Sequence, residues 1–167
     1  MTIYWGDGTN TTTNPTGGKI VQVASSDFTT QASNSSTQTW QDTGITCSIT
    51  PTSSSNDIIV NYCLCYSAAG SAHTAVRLMR GSTPINIATF GDSNQTRATQ
   101  GGYSGGGHWI FGVSGSFTDS PSTTSAIAYH FEMRTNNGTM YINRNTYSQN
   151  QGYAVRAGSH MTLMEVS

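Results

Sequence analysis

The stretch that most constrains this chain is residues 57–69, DIIVNYCLCYSAA, the longest near-continuous apolar run in it. Ile58, Val60, Tyr62, Leu64 and Tyr66 recur at a period of two, and Ile59, Asn61, Cys63, Cys65 and Ser67 fall between them. Alternation of β-branched and aromatic side chains predicts a strand. Ser53–Ser55 and Asn56 before the run and Gly70 after it punctuate as turns do. After Asp57 at its start, both faces lack charge. A strand with one strongly apolar face and one mild face belongs mid-sheet, with another layer or a partner chain close by.

The remaining sequence extends this pattern. At 167 residues the chain is expected to form one domain with a real core. Ser and Thr together make up 48 positions, a composition that disfavours helix and suits strands with one wet face. Body strands are expected at 19–23 (with Ile20 and Val21 inside), around the alternating Ile45, Cys47 and Ile49 and ended by Pro51, and at 72–80, 83–90, 108–117, 125–134, 139–144 and 158–166. Residues 24–39 and 91–107 read as polar loops. Gly81–Ser82 and Asn136-Asn137-Gly138 read as hairpin turns. Eight or nine strands and no helix predict an all-β antiparallel sandwich, jelly-roll-like.

Charged residues are 9% of the chain, against about 25% in ordinary domains. The net charge is −1 and Lys19 is the single lysine, so no basic patch exists for nucleic acid. No apolar run is long enough to cross a bilayer as a helix. The opening MTIYWGDGTN lacks the shape of a signal peptide, so folding is expected in a cytosol. Cys47, Cys63 and Cys65 are expected to be buried, unbridged thiols. The histidines His73, His108, His130 and His160 show no metal-ligand spacing, although three copies of His130 or His160 on a symmetry axis would meet. No cofactor is implied.

Residues 1–18 are rich in Thr, Asn and Gly, yet carry Ile3, Tyr4 and Trp5. A polar tether with an apolar aromatic tip suits docking into a partner's groove. The other reading is a short strand folded back on the body, turning at Gly6–Gly8. Residues 19–167 form the sandwich domain.

Two loops carry aromatic side chains beside amides and charges, a set suited to sugar rings. One holds Tyr103 with Asp92, Asn94 and Arg97 upstream; the other holds Tyr147 and Tyr153. Simple surface exposure would also account for both. Nothing in one dimension selects a carboxylate pair for glycan cleavage, so no catalytic residue is assigned. With so few charges, Glu132 or Glu165 is expected to pair with Arg77, Arg80 or Arg134, within the chain or across subunits.

The runs GGKIVQV, TWQDTGITCSITPTSSSNDIIV, RLMRGSTPI and GSHMTLMEVS resemble a recurrent surface domain of tailed-phage virions, especially those of marine and cyanobacterial phages. The resemblance spans residues 18–167, and its motifs are structural rather than catalytic. It implies a trimeric jelly roll of the tumour-necrosis-factor and C1q kind at a fibre tip or particle surface. The implied setting is the virion, with partners that are copies of itself, other virion proteins reached through the arm, and host cell-surface polysaccharide. A capsid decoration (cement) protein and a tailspike-like glycan hydrolase are the alternatives. Apolar surface gives separate grounds for a homotrimer: segments 57–69 and 108–113 have two uncharged faces, and the closing strand carries Met161, Leu163, Met164 and Val166. One small sandwich cannot hide so much on both sides.

Overall fold

The computed structural model describes residues 18–105, 109–147 and 150–167, and the backbone of 3–4 and 10–11. Within them every regular element is a strand. β1 (Ile3–Tyr4) and β2 (Asn10–Thr11) pair only with each other. The body follows as β3 (Ile20–Phe28), β4 (Ala32–Asn34), β5 (Gln41–Ile49), β6 (Asp57–Ala68), β7 (His73–Arg80), β8 (Thr83–Ile85), β9 (Gln100–Tyr103), β10 (Phe111–Asp119), β11 (Ile127–Thr135), β12 (Met140–Ile142) and β13 (Ser159–Val166). These eleven strands make two antiparallel sheets, a jelly-roll-like sandwich.

The predicted central strand is central. β6 pairs with β10 along one edge, and with β13 and then β12 along the other. β3 and β4 extend the sheet from β13 and β12. Ile58, Val60, Tyr62, Leu64 and Tyr66 are buried in the core, as their spacing requires. The second sheet runs β5-β11-β7, with β8 and β9 sharing the outer edge of β7. It contributes Ile45, Val76, Leu78, Tyr129 and Phe131 to the same core.

Several expectations need correction. Segment 24–39 is not one loop: β3 continues to Phe28, and β4 follows. Ala24, Ser26 and Phe28 sit half-buried inward while Ser25 and Asp27 face solvent, a pattern that a polar-rich sequence disguises at a sheet edge. Ile20 and Val21 are not inside; Ile20 and Val23 are each 57% exposed. A register irregularity between Glu165 and Val166 reorients this end of β3. The strand expected over 83–90 stops at Ile85. Pro84 lies on that edge strand, paired to Met79.

The Asn-Gly turn at 137–138 makes no hairpin. β11 lies in one sheet, while β12 pairs with β6 and β4 in the other. The turn carries the chain across the sandwich, and the Ala69 N–H donates to the Thr139 carbonyl at 2.8 Å. The 91–107 loop ends in a strand that contains Tyr103. Of the cysteines only Cys47 is buried; Cys63 and Cys65 lie half-buried on the outward face of β6, and all three are free thiols.

The two ends of the sandwich differ. At one, β6 begins at Asp57, β13 finishes at Val166 and β3 starts at Ile20, all in register. Segment 1–17 therefore joins the body there. Gly18 is wedged against the closing strand, where a Cβ would come within 2.7 Å of Val166 Cγ1. The other end holds Ala68 of β6, His73 of β7, Tyr103 of β9, Phe111 of β10 and Thr135 of β11. β6 alone spans about 36 Å between them, at roughly 3.3 Å per residue.

Candidate functional site

Two recesses among the described residues at the end opposite the arm concern the predicted sites. The smaller, about 380 Å³, is lined by Trp109, Asn145, Tyr147, Tyr153 and Val155. Trp109 enters from just before β10, and the others come from the segment after β12. The Tyr147 and Tyr153 rings meet edge to face, 4.7 Å between centroids, a favoured aromatic geometry. Trp109 is 67% exposed and Tyr153 56%. Large aromatic rings facing solvent at this density call for a binding explanation.

The segment behind these rings is held from within. Asn145 is buried; its N–H donates to the Val155 carbonyl at 3.2 Å and its Nδ2 to the Tyr153 carbonyl at 2.8 Å. Arg156 donates to the Tyr147 and Val155 carbonyls. Asn143, also buried and at a φ of 61°, donates to the Phe28 and Thr30 carbonyls and accepts from Ser159 Oγ. That knot ties the segment to β3 and β13, so the rings stand on an ordered base.

The larger recess, about 730 Å³, lies over the β7–β9–β11 face. Asn94, Thr96, Thr99, Gln100, Arg134 and Asn136 are among its lining residues. Arg134 donates to Thr96 Oγ1 at 2.8 Å, bracing the 86–99 loop against β11. No aromatic face other than the His73 ring lines it. Of the first predicted set, Asn94 lines this groove, whereas Asp92 and Arg97 are exposed on the same loop outside it. Tyr103 stacks on His73, 4.8 Å between rings. The six predicted residues thus divide: Tyr147 and Tyr153 converge, and Asp92, Asn94, Arg97 and Tyr103 do not join them. Trp109 and Asn145 were missed. Trp109 reads as part of a strand in sequence, and nothing local marks Asn145.

Other candidate chemistry resolves into structure. Gly102–Gly106 spells the G-x-S-x-G spacing of a nucleophile elbow. Ser104, however, is buried, donating from Oγ to the Gly70 carbonyl and accepting from the Ala72 N–H. Arg77 pairs with Glu132 at 2.5 Å within the chain, as expected, and lies over the Trp40 ring. Arg80 pairs with Asp119. Asp42 caps its own turn at Gly44, and Asp57 accepts from Ser120. Neither recess is lined by a carboxylate. Among the described residues no cluster of His, Cys, Asp or Glu is arranged to hold a metal ion. Burial pushes the Cys47 and Cys65 thiols up, Cys65 further through its neighbour Cys63, which opposes thiolate chemistry.

At the arm end Glu165 forms the second polar centre. It is buried and takes no arginine; Oε1 accepts from Thr52 N and Oγ1 and from Asn56 Nδ2, each at 2.7 Å, and Oε2 from Gln22 Nε2 at 2.6 Å. Burial raises its pKa, but the donors outweigh burial and hold the carboxyl at about 2. The network binds β3, the strand that carries the arm, to β13 and the 50–56 turn. Outward from it, adjacent registers set Val23, Met164 and Ile59 in one row and Ile20 and Val166, followed by Asp57, in the next. This is an apolar strip on the open face of the sheet. Ile3 and Tyr4 belong to the small β1–β2 pair, and Trp5 lies outside the described residues.

No protein-family model matches this chain, and no curated protein matches it in sequence.

Proposed function

We propose that this chain is a non-enzymatic structural protein of a tailed-phage virion, a fibre-tip or surface-display domain that works as a homotrimer. Residues 1–18 attach it to the particle, and the far end contacts host surface polysaccharide. The observation that carries this reading is the opposition of the two ends: the arm joins at Ile20, and the exposed rings of Trp109 and Tyr153, with half-buried Tyr147 beside them, stand at the end of the sandwich about 36 Å away. A domain tethered by one end presents the other.

Self-association is supported by the outward strip of Val23, Ile59, Met164 and Val166, because contact with copies would remove it from water. Three copies would present three equal recesses and turn weak single contacts into avidity. Binding rather than turnover fits the engagement of Asp119, Glu132 and Glu165 in structural contacts. A second reading, capsid decoration, draws on Ile20 and Val23 at the open edge of β3 beside the arm. There the strip would be buried against capsid subunits.

Light scattering of the purified protein tests the first reading. A trimer is expected, converting to monomer in Ile59→Lys or Met164→Lys; a compact monomer at high concentration overturns it. Deleting residues 2–8 should release the protein from particles without unfolding it. Antibody labelling of intact particles separates tail from head.

A further inference from the structure

The proposed display role leaves open what the arm-distal end recognises. We infer that the Trp109–Tyr147–Tyr153 recess is a binding subsite for one uncharged pyranose ring, and that Asn145 Oδ1 accepts a hydrogen bond from that sugar. This rests on the reading of the far end as host-facing and names the ligand class.

Three features of the recess converge on this chemistry. First, the walls are aromatic and open. A pyranose has one face rich in C–H bonds, which packs on an indole or phenol face, and a rim of hydroxyls that remains in water. The exposure of Trp109 and Tyr153 leaves their surfaces available for such a ring. Second, the size fits. About 380 Å³ is near the lower bound of about 300 Å³ for small-molecule sites, suited to one ring and not to a buried oligosaccharide.

Third, Asn145 is buried in the wall, and its Oδ1 has no hydrogen-bond partner among the described residues. The amide is not free to turn, because Nδ2 is committed to the Tyr153 carbonyl at 2.8 Å. The unused group is therefore an acceptor. Buried polar atoms without partners are uncommon and call for a donor, and a sugar hydroxyl or acetamido N–H supplies one. The lining contains no acid and no base. The two cations adjacent in sequence are engaged elsewhere: Arg144 lies over the Tyr141 ring, 4.1 Å from its centroid, and Arg156 is turned onto the Tyr147 and Val155 carbonyls. Phosphate and carboxylate ligands would find no counter-charge, so recognition favours neutral rings.

The same features separate this recess from its larger neighbour. That groove is built from Asn, Gln and Thr side chains with Arg134 and lacks an aromatic platform. Polymer leaving the first ring could run over it, but the energetic anchor belongs to the indole.

The test uses the purified full chain with methyl glycosides of glucose, galactose, mannose, fucose and N-acetylglucosamine, and glucuronate as the charged control. Saturation-transfer NMR and tryptophan emission give the readout. At least one neutral glycoside should bind with a Kd on the order of 1–10 mM, the range of a single shallow contact. Trp109→Ala should weaken it about tenfold or more, and Asn145→Ala about threefold or more. Trp109→Phe, which keeps a ring, should retain most of the binding. Circular dichroism and melting confirm that each variant is folded; if Asn145→Ala is not, the two Trp109 variants decide the matter. Absence of saturation transfer from every neutral glycoside overturns the proposal. So does glucuronate binding more tightly, or affinity unchanged in Trp109→Ala. None of these results depends on a particle, so failure of the virion reading and failure of the subsite are seen in separate experiments.

Discussion

Asp119 offers the sharpest test of how the two sheets are fastened. It ends β10 in the first sheet and accepts from Arg80 Nη1 at 2.8 and 3.0 Å and from the Tyr129 hydroxyl at 2.7 Å, both from the second sheet. Tyr129 is fully buried, and its phenol is pushed well above the usual tyrosine range by burial first, then by the hydrogen bond and negative charge of Asp119. Asp119→Ala removes one member of a largely buried ion pair, a loss of about 3–5 kcal/mol. Because Arg80 keeps 31% of its side chain in solvent, the expected figure is near the lower bound, about 3 kcal/mol. Much of that comes from stranding the Tyr129 hydroxyl without an acceptor. Tyr129→Phe alone removes one charge-assisted bond and should cost about 1.5 kcal/mol. The sign of the double variant is then decided: adding Tyr129→Phe to Asp119→Ala deletes the stranded hydroxyl and should restore about 1 kcal/mol. Urea unfolding of all four proteins measures this. Additive losses, or a single Asp119→Ala loss below about 1 kcal/mol, would show that Asp119 is not the inter-sheet fastener.

Glu165 sets the acid limb of stability. Its folded pKa of about 2 lies below the ordinary 4.5, so its contribution is complete above pH 4.5 and is lost as pH falls through 2. The melting temperature should fall across that window, and Glu165→Gln should flatten the fall while lowering stability at neutral pH; parallel profiles for the two proteins would refute the assignment. Gly138 sits at a φ of 67°, and a Cβ there would strike the Ala69 carbonyl oxygen, whereas Gly70 at 76° faces open space. Gly70→Ala should therefore cost about 1 kcal/mol from backbone strain alone, and Gly138→Ala about 3 kcal/mol or more by urea midpoint. Equal losses would mean that the carbonyl yields.

The recess shows where reading one dimension stops. Tyr147 and Tyr153 share a polar loop and could be grouped by proximity in sequence. Trp109 lies about forty residues earlier and reaches them only because β10 and β12 flank the same end of β6. Tyr103 looked equally suited to a sugar platform. Pairing to β7 puts it on a strand, stacked on His73. Asn143 reads as part of a strand and Asn145 as a loop residue until the hydrogen bonds that bury them are traced. The Arg77–Glu132 pair could be anticipated because a chain with so few charges tends to pair those it keeps.

Alternation at a period of two is a local property, and it sufficed to specify β6, β5 and β11 with the inward face of each, and hence an antiparallel sandwich; for β13 it gave the strand but not the face, which buries Glu165. Hydroxyl-rich edges hide their strands, since β3 and β4 use side chains that serve loops equally well. The crossing at Gly138, the outward turn of Ile20 and the donor set around Glu165 came only from tertiary structure. Strand partners, and the contacts they create at the ends of a sandwich, are set by long-range registers that no neighbouring residue encodes.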